Sequence, residues 1–102
     1  MAYDVILADE AEHDRDLIVG YLLYQLKSPQ AAGNFLDSLE KVTEQLEHNP
    51  LLYAVSGEPR LASLGYRIYP FMRYVALYRL KGEGEVWIGR IFHASQDYAR
   101  LA

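Results

Sequence analysis

The run Arg73-Tyr74-Val75-Ala76-Leu77-Tyr78-Arg79-Leu80 is followed by Lys81-Gly82-Glu83-Gly84 and then by Glu85-Val86-Trp87-Ile88-Gly89-Arg90-Ile91-Phe92-His93. Two segments rich in β-branched and aromatic residues, separated by four residues that include two glycines, read as a β-hairpin. Immediately upstream, Gly65-Tyr66-Arg67-Ile68-Tyr69 has the same character and supplies a strand before it. The carboxy-terminal third of the chain is therefore sheet.

Before these strands the hydrophobic period changes. Ala32, Phe35, Leu36, Leu39, Val42 and Leu46 fall on one helical stripe, with Asp37, Glu40, Lys41, Glu44 and Glu47 facing away. Ser28-Pro29 opens this helix, with proline where its missing amide costs nothing, and Pro50 closes it at Asn49. An earlier helix, from about Glu10 to Lys27, places Leu17, Ile18, Tyr21, Leu22 and Gln25 at helical spacing. Asp9 is positioned to cap it, with Glu12 three residues on, as in a capping box. So short a link between the helices makes an αα-hairpin. Tyr3-Asp4-Val5-Ile6-Leu7-Ala8 reads as an opening strand. Residues 51–65 lose all period, and Gly57, Pro59 and Gly65 mark a loop of a length more often functional than idle. The order β-α-α-β-β-β predicts an α+β, two-layer domain spanning residues 1–102, in which the helical hairpin covers one face of a largely antiparallel sheet. The other face is expected to remain open as the working surface.

Composition narrows the classes of function. The chain has 102 residues, no cysteine and a formal net charge of −4. Disulfide scaffolds and zinc-thiolate modules are excluded. No apolar run reaches a membrane span and no signal-peptide pattern opens the chain, so the expectation is a cytoplasmic protein that does not meet a membrane. The charge is uneven: residues 1–59 hold 3 Lys/Arg against 11 Asp/Glu, and residues 60–102 hold 7 against 3. A negative whole-molecule field opposes indiscriminate phosphate binding, whereas the basic half admits a local site for nucleic acid or an acidic protein segment.

Few constellations carry chemistry. Gly82 and Gly84 form a Gly-x-Gly, but Trp87 stands where a dinucleotide fingerprint needs its third glycine, so the pair is a turn. His13, His48 and His93 lack the spacing of a metal pair, and neither a metal nor any other cofactor is expected. The sheet half interleaves arginine (Arg60, Arg67, Arg73, Arg79, Arg90, Arg100) with tyrosine (Tyr66, Tyr69, Tyr74, Tyr78, Tyr98). Guanidinium pairs with phosphate and phenol rings stack on bases, which suits single-stranded RNA, although strand propensity alone accounts for the same composition. His93 ends a strand, with Arg90 and Tyr98 nearby in sequence. There it can act as acid or base, or simply hold the strand end by a hydrogen bond, with Asp97 capping a terminal turn.

Gly65-Tyr66-Arg67-Ile68, Tyr74-Val75-Ala76-Leu77-Tyr78-Arg79 and Val86-Trp87-Ile88-Gly89-Arg90-Ile91-Phe92-His93, followed by Asp97-Tyr98, together resemble the carboxy-terminal half of the RelE/ParE superfamily of bacterial toxins. Ala11-Glu12-His13-Asp14, Pro29-Gln30-Ala31-Ala32 and Asn49-Pro50 extend the resemblance over nearly the whole chain. It implies the toxin of a type II toxin-antitoxin (plasmid stabilisation) module, masked by a cognate antitoxin. The nuclease branch cleaves messenger RNA on the ribosome; the ParE branch inhibits DNA gyrase. Nucleases of the family commonly read Tyr-Arg-Leu-Val-Tyr in the third strand, and here Val75 stands in the arginine position, where it carries no charge for phosphate. Arg73, two residues away, is the available substitute on the same strand face. The ending Arg90-Ile91-Phe92-His93 looks more like ParE, so the resemblance is nearer that branch. If the chain is RelE-like instead, the resemblance implies catalysis by Arg67, Arg73, Arg90, His93 and Tyr98. Antitoxin or target contacts are assigned to Arg67, Tyr69, Arg73, Arg79 and Arg90. A non-toxic, antitoxin-binding remnant and a homodimer remain admissible.

Overall fold

The computed structural model describes residues 2–102. Its elements are β1 (Asp4–Leu7), α1 (Asp9–Gly20), a π-helical turn (Tyr21–Gln25), α2 (Pro29–His48), α3 (Pro59–Ser63), β2 (Arg67–Phe71), β3 (Tyr74–Leu80), β4 (Glu85–His93) and α4 (Tyr98–Leu101). The four strands form one sheet in the order β1-β4-β3-β2. β2, β3 and β4 are antiparallel neighbours, while β1 joins β4 in parallel, Asp4 opposite Glu85 and Leu7 opposite Ile88. The α+β arrangement expected from the sequence, helices on a largely antiparallel sheet, is the one observed.

α2 begins as its sequence dictates. Pro29 sits in the first turn and the Ser28 hydroxyl accepts a hydrogen bond from the Ala31 amide at 3.1 Å. Phe35, Leu39, Val42 and Leu46 are buried against the sheet, where they meet Ala76, Tyr78, Val86, Ile88 and Ile91. Leu36 departs from the expected stripe and is exposed, because it lies one residue, about 100° of helix, beyond Phe35. α1 also differs from expectation. Ala8, not Asp9, is its N-cap residue and no side chain caps it; the Ala8 carbonyl simply accepts from the Glu12 amide. The α-helix ends at Gly20, and one wider turn follows, closed by the Leu26 amide on the Tyr21 carbonyl. Lys27, at a φ of +51°, then reverses the chain into α2.

Two features overturn the expectation of an open sheet face. Strand β4 carries a bulge: Leu77 pairs with Arg90 and Tyr78 with Ile88, so Gly89 is an extra residue. Side-chain alternation is thereby reset. Val86, Ile88 and Ile91 point into the hairpin layer, and Phe92 points to the far side. On that far side Leu61, Val75, Leu77 and Phe92 form a second apolar cluster under Tyr66, Ile68, Tyr98 and Ala99. The segment 51–65 is thus not uniformly a loop. It contains α3, which supplies the fully buried Leu61, and α4 packs beside it. A sheet with apolar residues on both faces needs cover on both.

Candidate functional site

β1 stops opposite Ile88, so the last part of β4, still paired with β3 on one edge, runs on with no strand along its other edge. The amides exposed by this difference in length are met by side chains. The Asp14 carboxylate in α1 accepts from the Ile91 amide at 3.0 Å, and Gln96 Oε1 accepts from the His93 amide at 2.9 Å. Asp14 also receives Arg90 Nε at 2.8 Å and Nη2 at 3.2 Å. Arg90 reaches further, lying over the Phe92 ring at 4.4 Å and donating to the Leu101 carbonyl at 3.3 Å. The hydrogen bond to Asp14 is the largest influence holding this guanidinium more firmly protonated than usual, against the opposing effect of burial.

Between α1 and this free part of β4 lies a groove of about 770 Å³, its wall including Leu17, Ile18, Tyr21, Tyr74, His93 and Leu101. Leu17 and Tyr21, members of the helically spaced stripe of the first helix, are 61% and 54% exposed. Tyr24, 76% exposed, continues the same ridge. The Tyr74 ring meets the His93 imidazole edge to face at 5.6 Å, and burial is the first cause raising the Tyr74 phenol pKa above its usual value. His93 Nδ1 accepts from the Ser95 amide at 3.1 Å, which leaves the ring proton on Nε2 in the neutral tautomer. The imidazole therefore ties down the chain after β4, the structural role its position allowed. A groove with an apolar floor, a satisfied ion pair and few free polar groups suits a protein segment better than a small polar substrate.

Of the residues singled out in the sequence, Arg90 and His93 line this groove with Tyr74, whereas the others lie outside it. Arg73 is exposed in the turn between β2 and β3, outside the strand, with its carbonyl accepting from the Ala94 amide at 2.8 Å. It lies near His93 at one end of the sheet. Arg67 is at the other end of β2, donating to the Tyr53 carbonyl at 2.6 Å. Tyr69 is buried, with its hydroxyl on Gln45, and presents no binding surface. Arg79 stacks over Tyr66 at 5.2 Å and donates to the Leu64 carbonyl at 3.2 Å. Tyr98 packs on the far apolar cluster, across the sheet from Tyr74 in the hairpin layer. Val75 is buried in that cluster. Asp14, Leu17 and Tyr21 were not among the sequence candidates. The signal for Asp14 was a carboxylate three and four residues before Leu17 and Ile18, on the face of α1 that turns toward the sheet. Among the described residues, no group of three or more His, Asp and Glu is placed to hold a metal ion, and no helix is long and apolar enough to cross a membrane.

Residues 5–98 match the family described as "ParE toxin of type II toxin-antitoxin system, parDE". Among solved structures, a chain of the chromosomal ParDE toxin-antitoxin system from P. aeruginosa is similar at a TM-score of 0.70 and 22% identity, covering 90% of this chain and 96% of that one. A chain of the toxin-antitoxin complex RelBE2 from Mycobacterium tuberculosis is similar at a TM-score of 0.65 and 23% identity, covering 91% and 99%. No curated protein matches the sequence.

Proposed function

Because the chain belongs to the ParE toxin family of type II toxin-antitoxin systems, we propose that it arrests growth by binding DNA gyrase and is neutralised by a cognate antitoxin segment seated in the groove between α1 and β4. The carrying observation is that, of the side chains a nuclease needs together, the groove gathers only Arg90 and His93, and Arg90 is already engaged. Arg90 is committed to Asp14 and the Leu101 carbonyl, and Arg67 to the Tyr53 carbonyl. Val75, in the family position for a phosphate-facing arginine, is buried under Tyr98. General acid-base cleavage requires its groups within about 3 Å of one phosphate, whereas inhibition by binding requires none of them.

The groove supports the partner assignment through its chemistry. Exposed Leu17 and Tyr21 offer apolar anchors, and an aromatic ring at the middle of an interface commonly dominates its affinity. The antitoxin or target contacts expected from the sequence lie in the sheet half; the groove adds the first helix as a second wall.

A ribonuclease remains the second reading, favoured by one local cluster: Tyr74 on His93, with Arg73 in the adjoining turn. The deciding experiment adds the purified chain to gyrase and, separately, to translating ribosomes. Supercoiling inhibition without codon-positioned cleavage supports the first reading. Cleavage without supercoiling inhibition establishes the second.

A further inference from the structure

The segment 49–58 lends the core its Tyr53 ring but takes no part in the groove, and it is held firmly. Tyr53 is its anchor: its ring meets Tyr69 edge to face at 4.8 Å, its carbonyl receives Arg67 at 2.6 Å and its amide donates to the Tyr78 hydroxyl at 3.4 Å. Val55 bridges to Arg67, and the Ser56 amide donates to the Tyr66 carbonyl at 2.9 Å. Glu58 then closes the segment by accepting from the Leu61 amide at the start of α3. Around the anchor, Leu51, Leu52 and Val55 point outward at 62%, 44% and 45% exposure. Three large aliphatic residues within five, on a pinned backbone rather than a loose one, form a preorganised surface.

Beside Leu52 is a hollow of about 510 Å³ lined by Glu44, Gln45, His48 and Asn49. Glu44 is exposed and has no ion-pair partner among the described residues, and the Gln45 oxygen is occupied by Tyr69. The Glu44 carboxylate thus stands free at the border of the aliphatic tip. The complement of such a tip is an apolar recess bordered by a lysine or arginine. The segment lies along β2, while the groove lies along β4, two strands away in the sheet. A partner in the groove leaves it uncovered.

We propose that residues 49–58 form the surface by which this toxin grips its cellular target, a folded protein that offers an apolar recess beside a basic side chain. The proposal rests on the toxin reading but not on gyrase being the target, and the test separates the two. Leu51→Asp with Val55→Asp, and independently Glu44→Lys, are expressed in cells lacking the antitoxin. Each purified variant is compared with wild type for thermal unfolding, native mass, affinity for the product of the adjacent antitoxin reading frame, and inhibition of gyrase. Loss of growth arrest by about tenfold or more in both variants, with folding and antitoxin affinity at wild-type level, is the expected result. Glu44→Lys changes one exposed side chain on a helix surface, so it reports even if the double variant unfolds. Growth arrest retained by Glu44→Lys and by a folded double variant overturns the proposal. So does a parallel fall in antitoxin affinity, a wild-type dimer that the variants split, or a wild type that does not arrest growth. Arrest lost in the variants when even wild type leaves gyrase unaffected upholds the surface and removes gyrase as the target.

Discussion

Asp14 in α1 and Arg90 in β4 are 76 positions apart in sequence and joined by two hydrogen bonds, at 2.8 and 3.2 Å, while the same carboxylate caps the Ile91 amide. One side chain thus closes the part of β4 that β1 is too short to cover. Through the Leu101 carbonyl, Arg90 passes the restraint on to α4. The helical layer, the sheet and the far-side cover meet at this pair.

Removing one partner of a mostly buried pair leaves the other charge and an amide unsatisfied. Asp14→Ala should therefore destabilise the fold by about 2 to 4 kcal/mol, read from urea unfolding. Asp14→Asn, which keeps an acceptor for the Ile91 amide, should cost less. Equal losses in the two variants would show that the charge, not the cap, dominates.

The burial of tyrosines sets an alkaline limit. Tyr78, Tyr69 and Tyr74 all have pKa values raised above 10.0, in each case first by desolvation. Unfolded tyrosine releases its proton near 10.0, so the folded state holds protons that the unfolded state gives up. The stability tied to them is fully present below that pH and is lost as pH rises through the higher folded values. Urea midpoints should stay level to about pH 10 and fall above it. Tyr78→Phe should flatten the fall, at a cost near neutrality of about 1 kcal/mol for the bond from the Tyr53 amide. An unchanged alkaline slope in this variant would assign the limit to other groups.

Gly89 should resist substitution for a local reason. A Cβ placed there would lie 2.6 Å from the Tyr66 hydroxyl oxygen and 3.1 Å from its ring, so the tyrosine must swing away. Gly89→Ala should cost about 1 to 3 kcal/mol. In a Tyr66→Ala background the same change should cost clearly less, and additive losses would place the strain in the bulged backbone instead.

What the sequence revealed and what it hid divide along a physical line. The stripe through Phe35, Leu39, Val42 and Leu46 was legible because a helix against a sheet must repeat its apolar residues. β4 was legible from Glu85 to His93 because its β-branched and aromatic run is bounded by a glycine turn. Hidden were the features decided by long-range contact. A carboxylate at position 14 looks like any acid on an acidic helix until Arg90 is brought to it. Gly89 gives no sign that alternation is reset there, and with that reset the far side gains Phe92. Leu61, in an aperiodic stretch, becomes core only because that far side is apolar. Arg67 and Tyr69 stand out in the sequence by residue type, and type does not say whether a side chain is already engaged.

Leu39 tests the layered packing directly. It is 6% exposed, and Leu39→Ala should cost about 2 to 5 kcal/mol, whereas Leu36→Ala, at 42% exposure on the same helix, should fall within about 1 kcal/mol of wild type. Similar losses at both sites would mean that α2 sits rotated from the orientation described.

His93 is the residue whose chemistry separates the two functional readings. Its Nδ1 is engaged by the Ser95 amide and its ring by Tyr74, while Gln96 holds its backbone. In a nuclease, losing this imidazole would remove a general acid or base and lower cleavage by about 10² to 10⁴-fold. In a protein that acts by gripping gyrase, no proton is transferred. His93→Gln keeps a polar side chain able to accept from the Ser95 amide, so the turn after β4 should survive, as unfolding measurements would verify. Growth arrest and supercoiling inhibition should then remain near wild-type level in the variant. A folded His93→Gln protein that has lost growth arrest, beside a wild type that cleaves translated messenger RNA, would instead make the Tyr74-His93 cluster a catalytic site and transfer the protein to the nuclease branch.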